Sequence, residues 1–197
     1  MPKIQIAVAG AGLIGRRHIE LVQQSNRCEL SAVIDPVPLP KETLDAFGVK
    51  QYPDLQRCFT AHRPDGVILA TPNALHVEQT RQCIDAGVAA LIEKPVAHSV
   101  EEGKKLLAIA EGANARLLVG HHRAHSPILA KARDLVREGV LGDLVAVQGS
   151  AVFYKPDDYF DAAVWRRLEG GGPILINMIH EIGNLRADFG ERDRAFR

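Results

Sequence analysis

Two patterns of apolar and polar residues alternate along the first 120 residues. Short runs rich in Val, Ile and Ala are separated by longer stretches in which apolar residues recur every three or four positions. The short runs are typical of buried strands and the longer stretches of amphipathic helices, so the order predicts an α/β fold with a Rossmann-type parallel sheet covered by helices on both faces. The predicted strands are 4–10, 29–35, 66–71, 87–93 and 115–120.

The helices predicted between these strands carry sequence signals for their ends. Asn73 is expected to cap the third helix and Gly87 to end it. Ser99, with Glu102 three residues later, forms a capping box for the fourth. The predicted helices are 13–25, 41–47, 74–86 and 99–112.

The pattern changes after Gly120, and a second domain is predicted to begin there. It contains a helix at 127–138, one long strand at 144–154 and a last helix from near Pro173 through the stretch "INMIHEIGN". A single strand has no neighbour in the rest of the sequence, so we expect an incomplete α+β domain. The predicted domains are 1–120 and 121–197.

Composition and charge narrow the class of partner. The chain has 197 residues, of which 46% are hydrophobic, and Lys plus Arg and Asp plus Glu both number 24. With no basic excess, binding to nucleic acid or to an anionic membrane is not expected, and a small-molecule partner is favoured. The three cysteines lie far apart, and no segment approaches the roughly 20 apolar residues of a membrane span. We therefore expect a cytoplasmic protein.

The first chemical motif is the GxGxxG of "GAGLIG", which directly follows the first strand. Such glycines allow a tight turn, close approach to a pyrophosphate and close packing of helix on strand, with the phosphates at the helix N-terminus. The segment Gly10, Gly12, Leu13, Ile14 and Gly15 is therefore predicted to bind a dinucleotide.

Asp35 closes the second predicted strand, 20 residues beyond Gly15. At that distance a carboxylate can accept both hydroxyls of the adenosine ribose. It would also repel a 2′-phosphate, and no arginine follows it, so NAD is favoured over NADP as the cofactor. The alternative is that Asp35 only begins the turn "DPVPLP".

Two further motifs end predicted strands. In "ATPNALH", Thr71, Pro72 and Asn73 are candidates to line the cofactor cleft. His76 is included with them, although a polar residue in a first helical turn is often only solvated.

The other strand-end motif is Glu93-Lys94-Pro95. Pro95 removes a backbone donor and restricts Lys94 to an extended conformation, which would hold the ammonium at a fixed point of the cleft. Such a lysine can polarise a substrate hydroxyl or carbonyl, and Glu93 and Lys94 are both predicted to lie at the cofactor. The alternative for Lys94 is a solvated surface residue.

These residues resemble a known family. "GAGLIGRRH", "ILATPNALHVEQTRQCIDAGVAALIEKPVA" and "WRRLEGGGPILINMIHEIGNLR" are similar, in the same order and at matching spacing, to the glucose-fructose oxidoreductase/inositol dehydrogenase (Gfo/Idh/MocA) family. The resemblance implies an NAD(P)-dependent dehydrogenase that oxidises a hydroxyl of a sugar, cyclitol or related polyol. It also implies a C-terminal domain that binds substrate and often forms a homo-oligomer interface.

The resemblance also assigns roles to individual residues. Lys94 would bind the reacting hydroxyl and His180 would act as general acid/base, for which an imidazole with its near-neutral ordinary pKa is suited. The candidate substrate-binding residues are Arg123, Trp165, Arg166 and Asn177. No metal is required. Zinc at "HHRAH", from His121, His122 and His125, is the weaker alternative.

Two departures from the family pattern bear on activity. Many members have an aspartate four residues before the histidine, where this chain has Ile176, and the sequence ends at Arg197, so it resembles a C-terminally truncated member. The alternative function is therefore a non-catalytic dinucleotide-binding module. A helical pattern places His180 on a polar face, opposite an apolar stripe that contains Ile174 and Ile182, which favours a catalytic histidine over the alternative of a buried structural one. The polar face comprises Asn177, His180, Glu181 and Asn184.

Overall fold

The protein is represented by a computed structural model. It describes residues 2–143, 145–146, 148–150, 152–168, 171–172 and 174–183. The chain divides into two compact units, Met1–Gly120 and His121–Arg197. Within the described part of the chain, no helix is both long enough and apolar enough to cross a membrane.

The first unit is a six-stranded parallel sheet in the order β3-β2-β1-β4-β5-β6, which confirms the predicted fold class. The order reverses between β1 and β4, and ligands of open α/β sheets bind at such a point, beyond the carboxyl ends of the strands. The strands are β1 Ile4–Ala9, β2 Cys28–Ile34, β3 Lys50–Tyr52, β4 Gly66–Leu69, β5 Ala89–Ile92 and β6 Leu117–Val119.

Helices connect these strands and cover both faces of the sheet. They are α1 Leu13–Gln24, α2 Lys41–Phe47, α3 Leu55–Ala61, α4 His76–Asp85 and α5 Val100–Gly112. The predicted capping residue Ser99 accepts a hydrogen bond from the Glu102 N–H at 3.2 Å, and Gly87 ends α4 with a positive φ of 64°. Asn73 instead begins a 3₁₀ turn, Asn73–Leu75, that precedes α4.

The core consists of one apolar cluster on each face of the sheet. Ala7 and Ala9 of β1 belong to one cluster, and Val8 between them belongs to the other, together with the fully buried Ile19 of α1. Each buried side chain of the size of Val or Ile contributes about 1.5–3 kcal/mol to folding. Because β1 is buried on both faces of the sheet from Ala7 to Ala9, its sequence there is continuously apolar.

The short strand β3 and helix α3 were not predicted. β3 has only three residues, and the residues Lys50 and Gln51 give no apolar signal. The Gln51 side chain holds this edge in place, because its Nε2 donates to the Asp35 and Val37 carbonyls, both at 2.8 Å. Such a strand is specified by its tertiary contacts and not by its own pattern.

The second unit contains α6 Pro127–Arg137, close to its predicted range, and α7 Asp157–Asp161. The predicted strand at 144–154 is wrong for its described residues, which form no strand. A strand requires a partner for its backbone groups, and the described residues of this unit include no other strand. The side chains of Val145 and Val152 are accordingly 96% and 90% exposed.

The last helix of the second unit is confirmed over its described residues, with an irregularity. It has π geometry at Ile174–Met178 and continues as an α-helix to residue 183. Pro173, the predicted start, lies outside the described residues, as does Asn184. A π-helix has i→i+5 hydrogen bonds, so side chains do not follow the 3.6-residue spacing from which the faces were predicted.

Candidate nucleotide and catalytic site

Four strand ends bring the predicted cofactor residues of the first unit to one edge of the sheet. The GxGxxG turn follows β1, Asp35 follows β2, Thr71 comes two residues after β4, and Glu93 follows β5. These segments are hydrogen-bonded side by side: the Gly10 N–H donates to the Ile34 carbonyl and the Glu93 N–H to the Leu69 carbonyl. Parallel strands place all their carboxyl ends on the same side, so this edge is the candidate cleft.

The three glycines of the turn have different surroundings. Gly10 has φ +90°, and a Cβ there would lie 2.6 Å from the Ala70 carbonyl oxygen. A Cβ at Gly15 would lie 1.7 Å from the Gly10 carbonyl oxygen. A Cβ at Gly12 would meet nothing within 4 Å. Gly10 and Gly15 are thus required by the packing of α1 on β1 and β4, whereas Gly12 faces open space.

The N-terminus of α1 has the features of a phosphate site. Gly12 is its N-cap, no side chain caps it, and its first turn has no acidic residue. The first N–H groups of a helix have no acceptor within the helix and carry partial positive charge, which favours an anion. Leu13 and Ile14 are 81% and 49% exposed, although both are large apolar residues. This arrangement fits the pyrophosphate of a dinucleotide.

Asp35 is fixed by two backbone donors. Its Oδ2 accepts the Ala11 N–H at 2.8 Å, and its Oδ1 accepts the Val37 N–H at 2.9 Å. The second bond is the turn contact considered for this residue, and the first ties the carboxylate to the glycine-rich turn. A carboxylate has about four acceptor positions, so each oxygen retains a lone pair for a ribose hydroxyl. The turn role and a binding role are therefore compatible.

The segment after β4 is held by His76. Its ring is 1% exposed, so the alternative that it is only solvated is wrong. Its Nε2 lies 2.9 Å from the Thr71 carbonyl oxygen and its Nδ1 lies 2.7 Å from the Pro95 carbonyl oxygen. Both ring nitrogens are engaged, so any effect of His76 on a cofactor is indirect. Asn73 is also buried, at 6% exposure, and the Thr71 hydroxyl donates to Gln79.

Glu93 has a hydrogen-bond partner, His18, that was not predicted. Its Oε1 lies 2.8 Å from Nε2 of His18 in α1, and its Oε2 accepts the Lys94 N–H at 3.3 Å. Burial by itself would raise the pKa of Glu93, but the His18 hydrogen bond and charge, with the backbone N–H and ammonium of Lys94, lower it below its ordinary value. The carboxyl is therefore ionised at neutral pH.

In the second unit, the structure corrects the surroundings predicted for His180. His180 is only 7% exposed, whereas Ile174 and Ile182 of the supposed buried stripe are 63% and 42% exposed. Its ring lies 4.7 Å from that of His122 and 6.3 Å from that of His121, both edge-on. The π geometry before His180 explains why the buried and exposed faces of this helix differ from those predicted with 3.6-residue spacing. Asn177, the fourth residue of the π segment, is half-buried.

Arg123 pairs with Glu181, a residue that sequence reasoning placed only on a helix face. The hydrogen bond from the Arg123 guanidinium lowers the pKa of the Glu181 carboxyl, against the smaller opposing effect of burial. Arg123 follows His122 and Glu181 follows His180, so the ion pair ties the two histidine-bearing segments together. A pair 58 residues apart in the chain leaves no local signal.

The remaining candidates of the second unit cluster on an aromatic ring. The Arg166 guanidinium lies 4.0 Å from the centre of the Tyr159 ring and 5.8 Å from that of Trp165. It also donates to the Tyr159 carbonyl.

His122 and His125, two of the three candidate zinc ligands, lie in a 3₁₀ turn. Among the described residues, no group of three or more His, Cys, Asp or Glu side chains is arranged to hold a metal ion.

Comparison with known families places both units. Residues 4–121 match the profile described as "Oxidoreductase family, NAD-binding Rossmann fold". Residues 129–195 match the "GFO/IDH/MocA C-terminal domain".

Individual relatives are similar over most of this chain or over its first unit. It is 30% identical to the rhizopine catabolism protein MocA of Rhizobium meliloti, over 100% of this chain and 61% of that protein. It is 36% identical to the scyllo-inositol 2-dehydrogenase (NADP(+)) IolW of Bacillus subtilis (strain 168), over 61% of this chain and 36% of that protein.

A solved structure is similar over both units. The WlbA dehydrogenase from Bordetella pertussis, in complex with NADH and UDP-GlcNAcA, has a TM-score of 0.88 and 27% identity. The match covers 94% of this chain and 55% of that one. The chain thus spans less than two thirds of the length of each of these three relatives.

Proposed function

Because this chain belongs to the Gfo/Idh/MocA family of NAD-binding oxidoreductases, we propose that it takes part in hydride transfer between NAD and a hydroxyl-bearing carbon of a sugar, cyclitol or related polyol. One observation carries the proposal. The phosphate-binding turn, Asp35 and the Glu93-Lys94 pair converge at the carboxyl edge of one parallel sheet. A dinucleotide laid along this edge would run from Asp35 to Lys94.

NAD is proposed as the cofactor in preference to NADP. The Asp35 carboxylate is held by the Ala11 and Val37 N–H groups and cannot easily turn away from a ribose. A 2′-phosphate would bring two like charges together there. Relatives of both kinds are known, since one is named for NADP(+) and another was crystallised with NADH.

We assign the chemical roles to Lys94 and His180. When bound, the nicotinamide supplies the two-electron acceptor for hydride. Lys94 donates a hydrogen bond to the reacting hydroxyl and so stabilises negative charge on its oxygen. His180 takes the O–H proton as the C–H bond breaks and a carbonyl forms. His122, next to the buried His180 ring, lies on the solvent-exposed side of this pair.

The principal test is turnover with a panel of sugars and cyclitols. Purified protein with NAD is expected to produce absorbance at the reduced-nicotinamide band. Binding of NAD without turnover would favour the alternative, a non-catalytic dinucleotide module, for which Ile176 in place of an aspartate is the specific observation. Absence of calorimetric NAD binding would overturn both functions.

We also propose a cytoplasmic location, because the three cysteines are free thiols.

Lys94→Ala is expected to lower turnover at least about a hundredfold, because the polarising ammonium is lost while the backbone is unchanged. The measurement is kcat with the best substrate of the panel, together with the circular dichroism spectrum. Lys104→Ala is the matched control, since Lys104 is an exposed lysine of α5. Near-parent activity of Lys94→Ala would remove Lys94 from the reacting centre.

Asp35→Ala is expected to raise the NAD dissociation constant about tenfold or more, since a hydrogen bond to a charged group contributes about 1.5–3 kcal/mol and about 1.4 kcal/mol corresponds to tenfold. NADP affinity should change less, so the preference narrows. Calorimetric titration with each nucleotide measures both, with Asp45→Ala of α2 as the exposed control. Equal NAD affinity in parent and variant would exclude Asp35 from the site.

A further inference from the structure

Lys94 lies between two residues that histidines of other elements hold in place. Glu93 before it is bonded to His18 of α1, and Pro95 after it is bonded to His76 of α4. We propose that His18 and His76 are positioning residues that fix the Lys94 backbone from both sides and so aim its side chain at the reacting hydroxyl. Their role rests on the function proposed for Lys94 above.

On the His18 side, the Glu93 carboxylate has a single well-defined place. His18 Nε2 lies 2.8 Å from Oε1, and the two side chains are only 19% and 15% exposed. Gly120 packs against the same oxygen, since a Cβ there would lie 2.8 Å from it. With one oxygen held by His18, the other is directed at the Lys94 N–H at 3.3 Å. Glu93 thereby links His18 of α1 to the Lys94 backbone N–H.

The His18 bond to Glu93 has the properties of a strong contact. An ionised carboxylate accepts two donors at once, one at each oxygen, and hydrogen bonds to a charged acceptor are about twice as strong as neutral ones. Partial burial reduces competition from water. The pair therefore resists rotation of Glu93, which would otherwise release the Lys94 N–H.

On the His76 side, the contact is with the carbonyl that follows Lys94. His76 is 1% exposed, and its ring bridges the Pro95 and Thr71 carbonyls at 2.7 and 2.9 Å. A carbonyl oxygen can only accept, so the ring acts as donor, to one carbonyl in either neutral tautomer and to both when protonated. The turn after β5 is thereby tied to the end of β4.

Both contacts join Lys94 to elements that already form the nucleotide site. His18 lies on α1, which begins at the phosphate-binding turn, and Thr71 lies at the cleft edge. Misplacement of a catalytic group by about 1 Å can cost about a hundredfold in rate. Loss of one contact should therefore lower kcat far more than it changes KM or nucleotide affinity, because binding also depends on Asp35 and on the glycine-rich turn.

The test compares His18→Leu, which removes the donor, with His18→Gln, whose amide can still donate to Glu93. His98→Leu is the matched control, because His98 lies 3.0 Å from Glu102 in a second histidine-glutamate pair that is more exposed. Measurements are kcat, KM, NADH affinity, and the chemical shift of Lys94 in protein labelled with [ε-¹³C]lysine. Lys94→Arg assigns that signal.

We expect His18→Leu to lower kcat about tenfold or more, with KM and NADH affinity within about twofold, and to move the Lys94 signal. His18→Gln should restore most of kcat, and His98→Leu should match the parent. Should His18→Leu fail to fold, the same pattern is expected from loss of the second contact. His76→Gln tests the second contact in the same way.

Parent kcat and an unmoved Lys94 signal in His18→Leu would overturn the positioning role while leaving the dehydrogenase function intact. A parallel loss of kcat, NADH affinity and thermal stability would also overturn it, since that pattern indicates a structural contact. Absence of turnover in the parent would instead contradict the proposed function. The Lys94 signal still decides the positioning role in that case, because it requires no substrate.

Discussion

At the scale of single residues, Glu93 shows how neighbours outweigh burial. Burial acts to raise its pKa, but His18 and the Lys94 backbone and ammonium together lower it. A carboxyl with a lowered pKa stabilises the fold at pH values above its unfolded pKa of about 4.3, and this stabilisation is lost as the pH falls through the folded value. The stabilisation that the ionised Glu93 carboxyl provides is therefore present at neutral pH and is lost in acid.

Glu93→Gln is accordingly expected to lower the free energy of unfolding most at neutral pH, with the difference from the parent shrinking below about pH 4.3. Urea unfolding at a series of pH values measures this difference. Glu111→Gln is the control, because Glu111 is an exposed residue of α5. A difference that grows on acidification would show that the sign is wrong.

The positions of some residues in the fold were predictable because their sequence signals are local. The glycines and Asp35 stand at fixed distances from a strand, and Ser99 stands just before a helix, so chain order alone places them. The burial of His180 was not predictable in this way, because it depends on a π segment that shifts every following side chain. Contacts between distant segments, such as His18 with Glu93, leave no periodic trace.

At the scale of elements, the turn between β1 and α1 contains one glycine that the packing requires and another that lies at the proposed phosphate site. Gly15 packs where a Cβ would collide with the Gly10 carbonyl oxygen, whereas Gly12 faces open space at the helix N-terminus. The glycines of one sequence motif therefore meet two different requirements. Alanine substitutions at Gly12 and Gly15, each of which adds one methyl group, can separate the two requirements.

Gly15→Ala is expected to destabilise the protein by about 3 kcal/mol, the range seen when a packed site is overfilled. Gly12→Ala should leave stability within about 1 kcal/mol, because its φ suits any residue, and should weaken NAD binding by occupying the phosphate position. Thermal unfolding and calorimetric titration of both variants check this. Equal destabilisation by the two substitutions would contradict the assignment.

Most elements with an apolar pattern were predicted, whereas the short strand β3 and the seven-residue helix α3 were not. The five predicted strands and four predicted helices of the first unit agree with the structure to within a few residues. β3 was missed because it is a three-residue polar edge strand. The apolar run at 144–154 reads as a strand, but its described residues have no partner strand among the described residues of the second unit.

At the scale of the whole molecule, the fold class follows from the alternation of strand and helix patterns in the sequence, whereas the proposed site depends on which strand ends are neighbours in the sheet.

The sheet core extends over both faces and includes two buried thiols, Cys58 and Cys83. Burial raises the pKa of Cys58 to about 11 and that of Cys83 to about 12. Cys28 is only partly buried.

Cys28 is therefore expected to react first with iodoacetamide at pH 8, while Cys58 and Cys83 react only when the core opens, since the thiolate is the nucleophile. Peptide mass spectrometry over time measures the three rates, and labelling in denaturing urea is the control in which all three should react. Rapid labelling of Cys58 or Cys83 in the native protein would contradict a cooperative core around them.

The predicted cofactor residues of the first unit gather at the carboxyl ends of the strands, so none of them lies at the amino ends. The exposed turn residues Asn26 and Asn114 shortly precede β2 and β6 and so lie at that opposite edge. A dye or a tether to an electrode fixed at either position would point away from the nucleotide. The protein could then be immobilised in a single orientation, with the carboxyl edge of the sheet facing away from the support.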